Sequence, residues 1–170
     1  MNTMLVRRVL KVKEGQMELG DLIAPEAVFP ALKANNKKQV LQDLAEKSAG
    51  FTGLDARDIF ETMLQRERLG STGVGRGIAI PHGRMAELKH ILCVFARLEQ
   101  PIDFEALDEE PVDLVFVLLA PEQAGADHLK ALARISRLLR EPQTIERLRA
   151  SRDRAALYAV LTQSSAVSAA

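Results

Sequence analysis

Val112 to Ala120 reads Val-Asp-Leu-Val-Phe-Val-Leu-Leu-Ala, apolar almost without a break. A strand with one wet face alternates apolar and polar residues. This one does not, so it needs cover on both faces, as a central strand has. It is also far too short to span a bilayer. Ile91 to Leu98 reads as a second long strand. The acidic, turn-rich stretch Asp103 to Glu110 connects the two.

Helical patterns flank these strands. Asn36 opens a helix, with Gln39 three residues on as in a capping box. Val40, Leu41, Leu44 and Ala45 share one face, and Gly50 reads as the stop. Asp55 opens a second helix. Ile59, Phe60, Met63 and Leu64 form its buried stripe, and Gly70 ends it. Asp127 reads as the cap of a third helix carrying Leu129, Leu132, Ala133, Ile135, Leu138 and Leu139, with Pro142 as its stop. Short amphipathic helices follow near Gln143–Arg149 and Asp153–Leu161. Helices, then strands, then helices predict one α/β domain of three layers, α/β/α, with a mixed central sheet.

A length of 170 residues fits one domain with short tails: an arm at 1–16, a domain at 17–163 and a small polar, disordered tail at 164–170. The arm mixes Leu5, Val6, Val9 and Leu10 with Arg7, Arg8, Lys11 and Lys13, too charged for a signal peptide. With no membrane-length run, a cytoplasmic protein is expected. Lys+Arg (23) cancel Asp+Glu (23), so the basic excess of a nucleic-acid binder is missing. The single cysteine, Cys93, sits in an apolar run and reads as a small core residue of a reducing compartment.

The chemistry is concentrated in Gly70-Ser71-Thr72-Gly73-Val74-Gly75-Arg76-Gly77-Ile78-Ala79-Ile80-Pro81-His82-Gly83. Clustered glycines mark unusual backbone angles or close approach, and N–H groups freed there can hold an anion. It is not a P-loop, because Gly75 is followed by Arg76 and Gly77. Nor is it a dinucleotide loop, because position 78 is Ile. Nucleotide cofactors are therefore disfavoured. Ile78-Ala79-Ile80 reads as a short strand ending at Pro81. Pro81 stiffens the approach to His82 and Gly83 clears its other flank, which would present an imidazole at a strand end. The plain alternative is an exposed turn histidine.

His128 lies at the start of the third helix, where an anion is favoured and an imidazolium is not. On local residues alone, a solvated first-turn histidine is the favoured reading. His90 reads as a surface histidine. Arg66 and Arg68 complement the end of the second helix, yet a guanidinium there could also reach a phosphoryl group at the loop.

This glycine-rich run resembles the nitrogen-regulatory IIA proteins of the bacterial phosphotransferase system, relatives of the mannitol/fructose-type IIA domains. The likeness extends from about Leu19 to Leu161. It includes Arg66-Glu67-Arg68-Leu69, Pro111-Val112-Asp113-Leu114 and Asp127-His128-Leu129. The resemblance implies that His82 is phosphorylated on Nε2, that His128 is a second histidine contacting the phosphoryl group, and that Arg66 steadies its charge. Ser71 and Thr72 match loop positions near the site. Gln65, Arg76 and the arm take no role from it.

The implied donor is a histidine phosphocarrier protein. The implied targets are regulatory proteins such as sensor kinases or potassium transport proteins. No metal or other cofactor, no nucleic acid and no membrane insertion are expected. Attack on phosphorus needs a neutral acceptor ring, so Nδ1–H of His82 should donate to a carbonyl or side chain and leave Nε2 free. Three rivals stand beside this reading. One is a sugar-specific IIA component feeding a IIB domain. Another is a metal-dependent hydrolase using His82, His90 and His128, which lack a tight ligand spacing. The last is a binding module that has lost phosphotransfer.

Overall fold

The computed structural model describes residues 17–163, so the arm at 1–16 and the tail at 164–170 lie outside the described residues. The chain opens with single 3-10 turns at Leu19–Asp21 and Pro25–Ala27. It then runs β1 (Val28–Leu32), α1 (Lys37–Thr52), α2 (Ala56–Arg68), β2 (Gly73–Gly75), β3 (Ile78–Ala79), β4 (His82–Met85), β5 (Leu92–Ile102), β6 (Val112–Pro121), α3 (Ala126–Leu138), α4 (Pro142–Ala150) and α5 (Arg154–Leu161). The six strands form one sheet in the order β1-β5-β6-β3-β2, with β4 also on β6. β5–β6 and β2–β3 are antiparallel, while β1 runs parallel to β5, and β3 and β4 run parallel to β6, so the sheet is mixed as expected.

β6 owes its central place to its sequence. Leu114 through Ala120 are buried without interruption, so both faces are covered. Helices α1 and α2 pack against each other, α2 packs on β4, α3 and α4 pack on β6, and α5 packs on β1. Phe95 and Phe116, paired across β5 and β6 with ring centroids 4.9 Å apart, anchor the middle. Cys93 is fully buried in β5, which pushes its thiol pKa up to about 12 and leaves it inert.

Two helix boundaries differ from expectation. Gly50 does not stop α1, because its backbone has no need of a left-handed angle. The helix runs on through Phe51, which packs against Phe29. Gly53, at φ 74°, is the residue that turns the chain and donates its N–H to Ala49 O at 2.8 Å. Asp127 does not cap α3. The helix begins two residues earlier than that cap implies, at Ala126 behind Gly125, whose φ of 57° with ψ of −125° suits glycine, and Asp127 faces Lys130 at 3.9 Å instead. The caps read at Asn36 and Asp55 are present, and Asp153 caps α5 as well, each accepting from a first-turn N–H.

The glycine stretch folds into a hairpin. β2 and β3 are joined by Arg76 (φ 57°) and Gly77 (φ 78°), the two positive angles a two-residue type I′ turn requires. Arg76 is held there by Asp108 Oδ2, which accepts its N–H at 2.9 Å, and by Leu139 O, which accepts from its guanidinium at 2.8 Å. Gly77 lies against the Arg149–Asp113 ion pair, leaving no room for a Cβ. Gly77→Ala should therefore cost about 2–3 kcal/mol, the left-handed strain plus displacement of Arg149. Urea unfolding of this variant beside wild type measures it, and an unchanged midpoint would show that the turn relaxes freely.

Candidate phosphoryl-transfer site

The site is built where the strand crosses Pro81. From Ala79 to His82, and from Val115 to Leu118 opposite, the pairing advances three residues on each strand, so register is kept through the proline. Expectation put a strand end at Pro81. The strand instead resumes as β4, because Pro81 still offers its carbonyl to Leu118 N–H at 2.9 Å. His82 therefore sits within the sheet rather than on a loop. Gly83 comes so close to α2 that a Cβ would lie 2.5 Å from Thr62 Cγ2. A side chain there would push β4 off the helix.

His82 is half-buried and both ring nitrogens are engaged. Nδ1 lies 2.8 Å from Ile80 O, and Arg66 Nε donates to Nε2 at 3.2 Å. A carbonyl can only accept and a guanidinium can only donate. The proton must therefore sit on Nδ1, leaving the lone pair on Nε2. Burial, the largest influence, lowers the ring's pKa from 6.5. The Ile80 carbonyl works against that, and Arg66 lowers it further.

Arg66 also donates to Gly70 O at 2.9 Å, so the last turn of α2 is clamped onto the glycine loop. The next residue, Glu67, is buried. Its carboxylate accepts from Thr72 N–H at 3.1 Å, from the Thr72 hydroxyl and from Lys37 Nζ at 2.8 Å. Ser71 donates its hydroxyl to Phe104 O at 2.8 Å and accepts from Gly73 N–H at 3.1 Å. Both hydroxyls are thus bonded within the loop's own framework rather than to His82. Arg68 and His90 are exposed.

His128, on the first turn of α3, is 5 % exposed and meets His82 edge-to-face at a centroid separation of 5.6 Å. Arg84 Nε donates to its Nδ1 at 3.0 Å, and its Nε2 is buried without a partner. Burial, then His82, then Arg84 lower its pKa from 6.5. The structure so gathers His82, His128 and Arg66 at one point. Among the described residues, no three His, Cys, Asp or Glu side chains gather as a metal would need. The ligand set of the hydrolase rival is not assembled.

The sequence profile of the phosphoenolpyruvate-dependent sugar phosphotransferase system, EIIA 2, matches residues 21–164. The chain belongs to this IIA family. A nitrogen regulatory protein of Bradyrhizobium diazoefficiens is 62% identical over 85% of this chain and 95% of its own. One from Pseudomonas aeruginosa is 39% identical, covering 85% and 95%. The crystal structure of nitrogen regulatory protein IIA-Ntr from Neisseria meningitidis superposes with a TM-score of 0.81 at 33% identity, over 85% of this chain and 99% of that one. The membership makes this IIA domain a component of a phosphotransferase system, which fits a phosphoryl carrier. Among the described residues, no helix is long and apolar enough to cross a membrane.

Sequence reasoning missed Arg84, Glu67 and Lys37 as parts of this candidate site. Arg84 carried a usable signal, since residues two apart on a strand share a face with His82. Lys37 lies far away in sequence and carried none.

Burial is the largest cause that lowers the pKa of both His82 and His128 from the 6.5 of a free imidazole. Between those lowered values and 6.5 the unfolded chain binds more protons than the folded one. Stability therefore rises with pH across that window, is fully present above about 6.5, and is lost as acid is added. The urea midpoint should fall between pH 7.5 and pH 5.5, and by less in a His82→Gln, His128→Gln double variant. Equal falls in both proteins would place the effect elsewhere.

Proposed function

We propose that this protein is a regulatory phosphoryl carrier that accepts a phosphoryl group on His82 Nε2 from a histidine phosphocarrier. The observation that carries the reading is the tautomer of His82, fixed by Ile80 on one side and Arg66 on the other. The Nε2 lone pair attacks phosphorus on the donor's phosphohistidine. The donor's N–P bond breaks, and its electron pair returns to the donor nitrogen. As the new N–P bond forms, positive charge develops on the His82 ring. The Ile80 carbonyl, facing Nδ1–H, stabilises it, and no proton has to move. The transition state is loose and rich in charge, so positioning and electrostatics carry the catalysis. Arg66, released from Nε2 by the new bond, would turn to the phosphoryl oxygens. His128 lies beside them, and the loop of Ser71 and Thr72 would frame them.

The added charge of about −1.5 to −2 gives the regulatory output. The unmodified form binds target proteins, such as sensor kinases or potassium transport proteins, and the phosphorylated form repels them. Likeness to proteins named nitrogen regulatory supports this branch over the sugar-specific one.

The test is intact-protein mass spectrometry after incubation with phosphoenolpyruvate, enzyme I and a histidine phosphocarrier, with and without EDTA. One acid-labile phosphoryl increment is expected, dependent on the carrier and indifferent to EDTA. No increment with a competent cascade would leave a binding module. Rapid transfer onward to a sugar IIB domain would favour the sugar-specific role. Equal capture of targets by both forms would remove the regulatory one.

A further inference from the structure

We propose that Arg84 is a positioning residue of this site: by occupying Nδ1 of His128, it forces the ring proton onto Nε2 and makes that nitrogen a hydrogen-bond donor for the phosphoryl oxygens on His82. The inference rests on His82 being the phosphoryl acceptor. It begins from the contact between Arg84 Nε and His128 Nδ1, 3.0 Å long. A guanidinium has donors and no acceptor, so Nδ1 must supply the lone pair. A neutral imidazole has one proton, which is then on Nε2. That Nε2–H is buried and has no partner among the described residues.

A buried donor left unpaired keeps the full penalty of its desolvation. Its persistence beside the acceptor ring, at a centroid separation of 5.6 Å, matches a site that is complete only when a further acceptor arrives. A phosphoryl group brings three strong acceptor oxygens. The two histidines therefore hold opposite tautomers. His82 has its proton on Nδ1 and attacks with Nε2, whereas His128 has its lone pair on Nδ1 and donates from Nε2. Each has its bare nitrogen held by an arginine, Arg66 from α2 for His82 and Arg84 from β4 for His128. The opposite assignment for His128 would set two lone-pair nitrogens facing an incoming anion, which repels it.

Long-range proton–nitrogen correlation on protein labelled with 15N-histidine reads the tautomer directly, without any phosphoryl donor. Wild type should show His128 Nδ1 bare and Nε2 protonated near neutral pH. Arg84→Lys, whose ammonium also only donates, should keep that signature. Arg84→Met, which offers no donor, should mix or invert it. Phosphoryl uptake should fall about 10–100-fold in Arg84→Met, the range for lost orienting partners, and be largely restored in Arg84→Lys. A His128 tautomer unchanged in Arg84→Met overturns the proposal, and so does an altered tautomer with wild-type uptake. If wild type takes up no phosphoryl group, the carrier reading fails and the donor has no use. The ring shifts fail only if Arg84 does not set the tautomer, so the two failures are separate.

Discussion

His82→Ala is expected to take up no phosphoryl group at all, while folding normally. The variant deletes the one lone pair that the Ile80 carbonyl and Arg66 leave available for attack. Nothing nearby replaces it, because the Nδ1 lone pair of His128 is occupied by Arg84 and its Nε2 carries the proton. The fold should lose only about 1–2 kcal/mol, since the ring is half-buried and contributes two hydrogen bonds. His128→Ala makes the contrast. It keeps the acceptor and removes a neighbour, so uptake should slow and still reach one group per chain. Mass spectrometry of both variants over time distinguishes them. Full uptake by His82→Ala, or none by His128→Ala with His82 intact, would reverse the assignment of the two rings.

Arg66→Ala should lower the rate of uptake by about 10²–10³-fold, the loss typical of removing one preorganised donor from a charge-rich transition state. Two effects add. The variant removes the guanidinium that holds Nε2 and would follow the phosphoryl oxygens. It also removes a positive charge that, after burial, helps keep the His82 pKa low. That pKa rises, so the acid limb of the rate profile moves to higher pH and less of the ring is neutral at pH 7. Arg66→Lys restores the charge but not the fork that joins Gly70 O to His82. It should recover the pH profile better than the rate. Stopped-time phosphorylation assays across pH measure both, and a rate within twofold of wild type in Arg66→Ala would remove Arg66 from the chemistry.

Much of this architecture was legible in the chain because it depends on neighbours in sequence. The caps at Asn36 and Asp55 are local hydrogen bonds between a side chain and a backbone two or three residues away. The cover on β6 is a property of its own apolar run. The failures are also physical. Gly50 and Gly53 are equivalent as letters, and only the packing of Phe51 on Phe29 decides which one ends the helix. Pro81 signals a break to any reading by propensity, but its carbonyl keeps the ladder in step. At the site, local residues raised His82, His128 and Arg66 only as candidates, a resemblance assigned their roles, and the fold then supplied their geometry. The clamp of Glu67 on Thr72 and Lys37, and that of Arg84 on His128, join elements that meet only after folding. Beyond the strand face that Arg84 shares with His82, no local pattern marks them.

Keeping register through Pro81 has a further consequence. His82 opens β4, which pairs with β6 alone and packs on α2, so the ring cannot shift without breaking both contacts. Loops fray on their own, but a strand held between a buried sheet centre and a helix opens with the fold around it. Loss of the acceptor and loss of the fold are then one event. A partly damaged preparation should hold molecules that are either fully competent or inert, with none in between. The phosphorylatable fraction of such a sample is a head-count of its folded molecules.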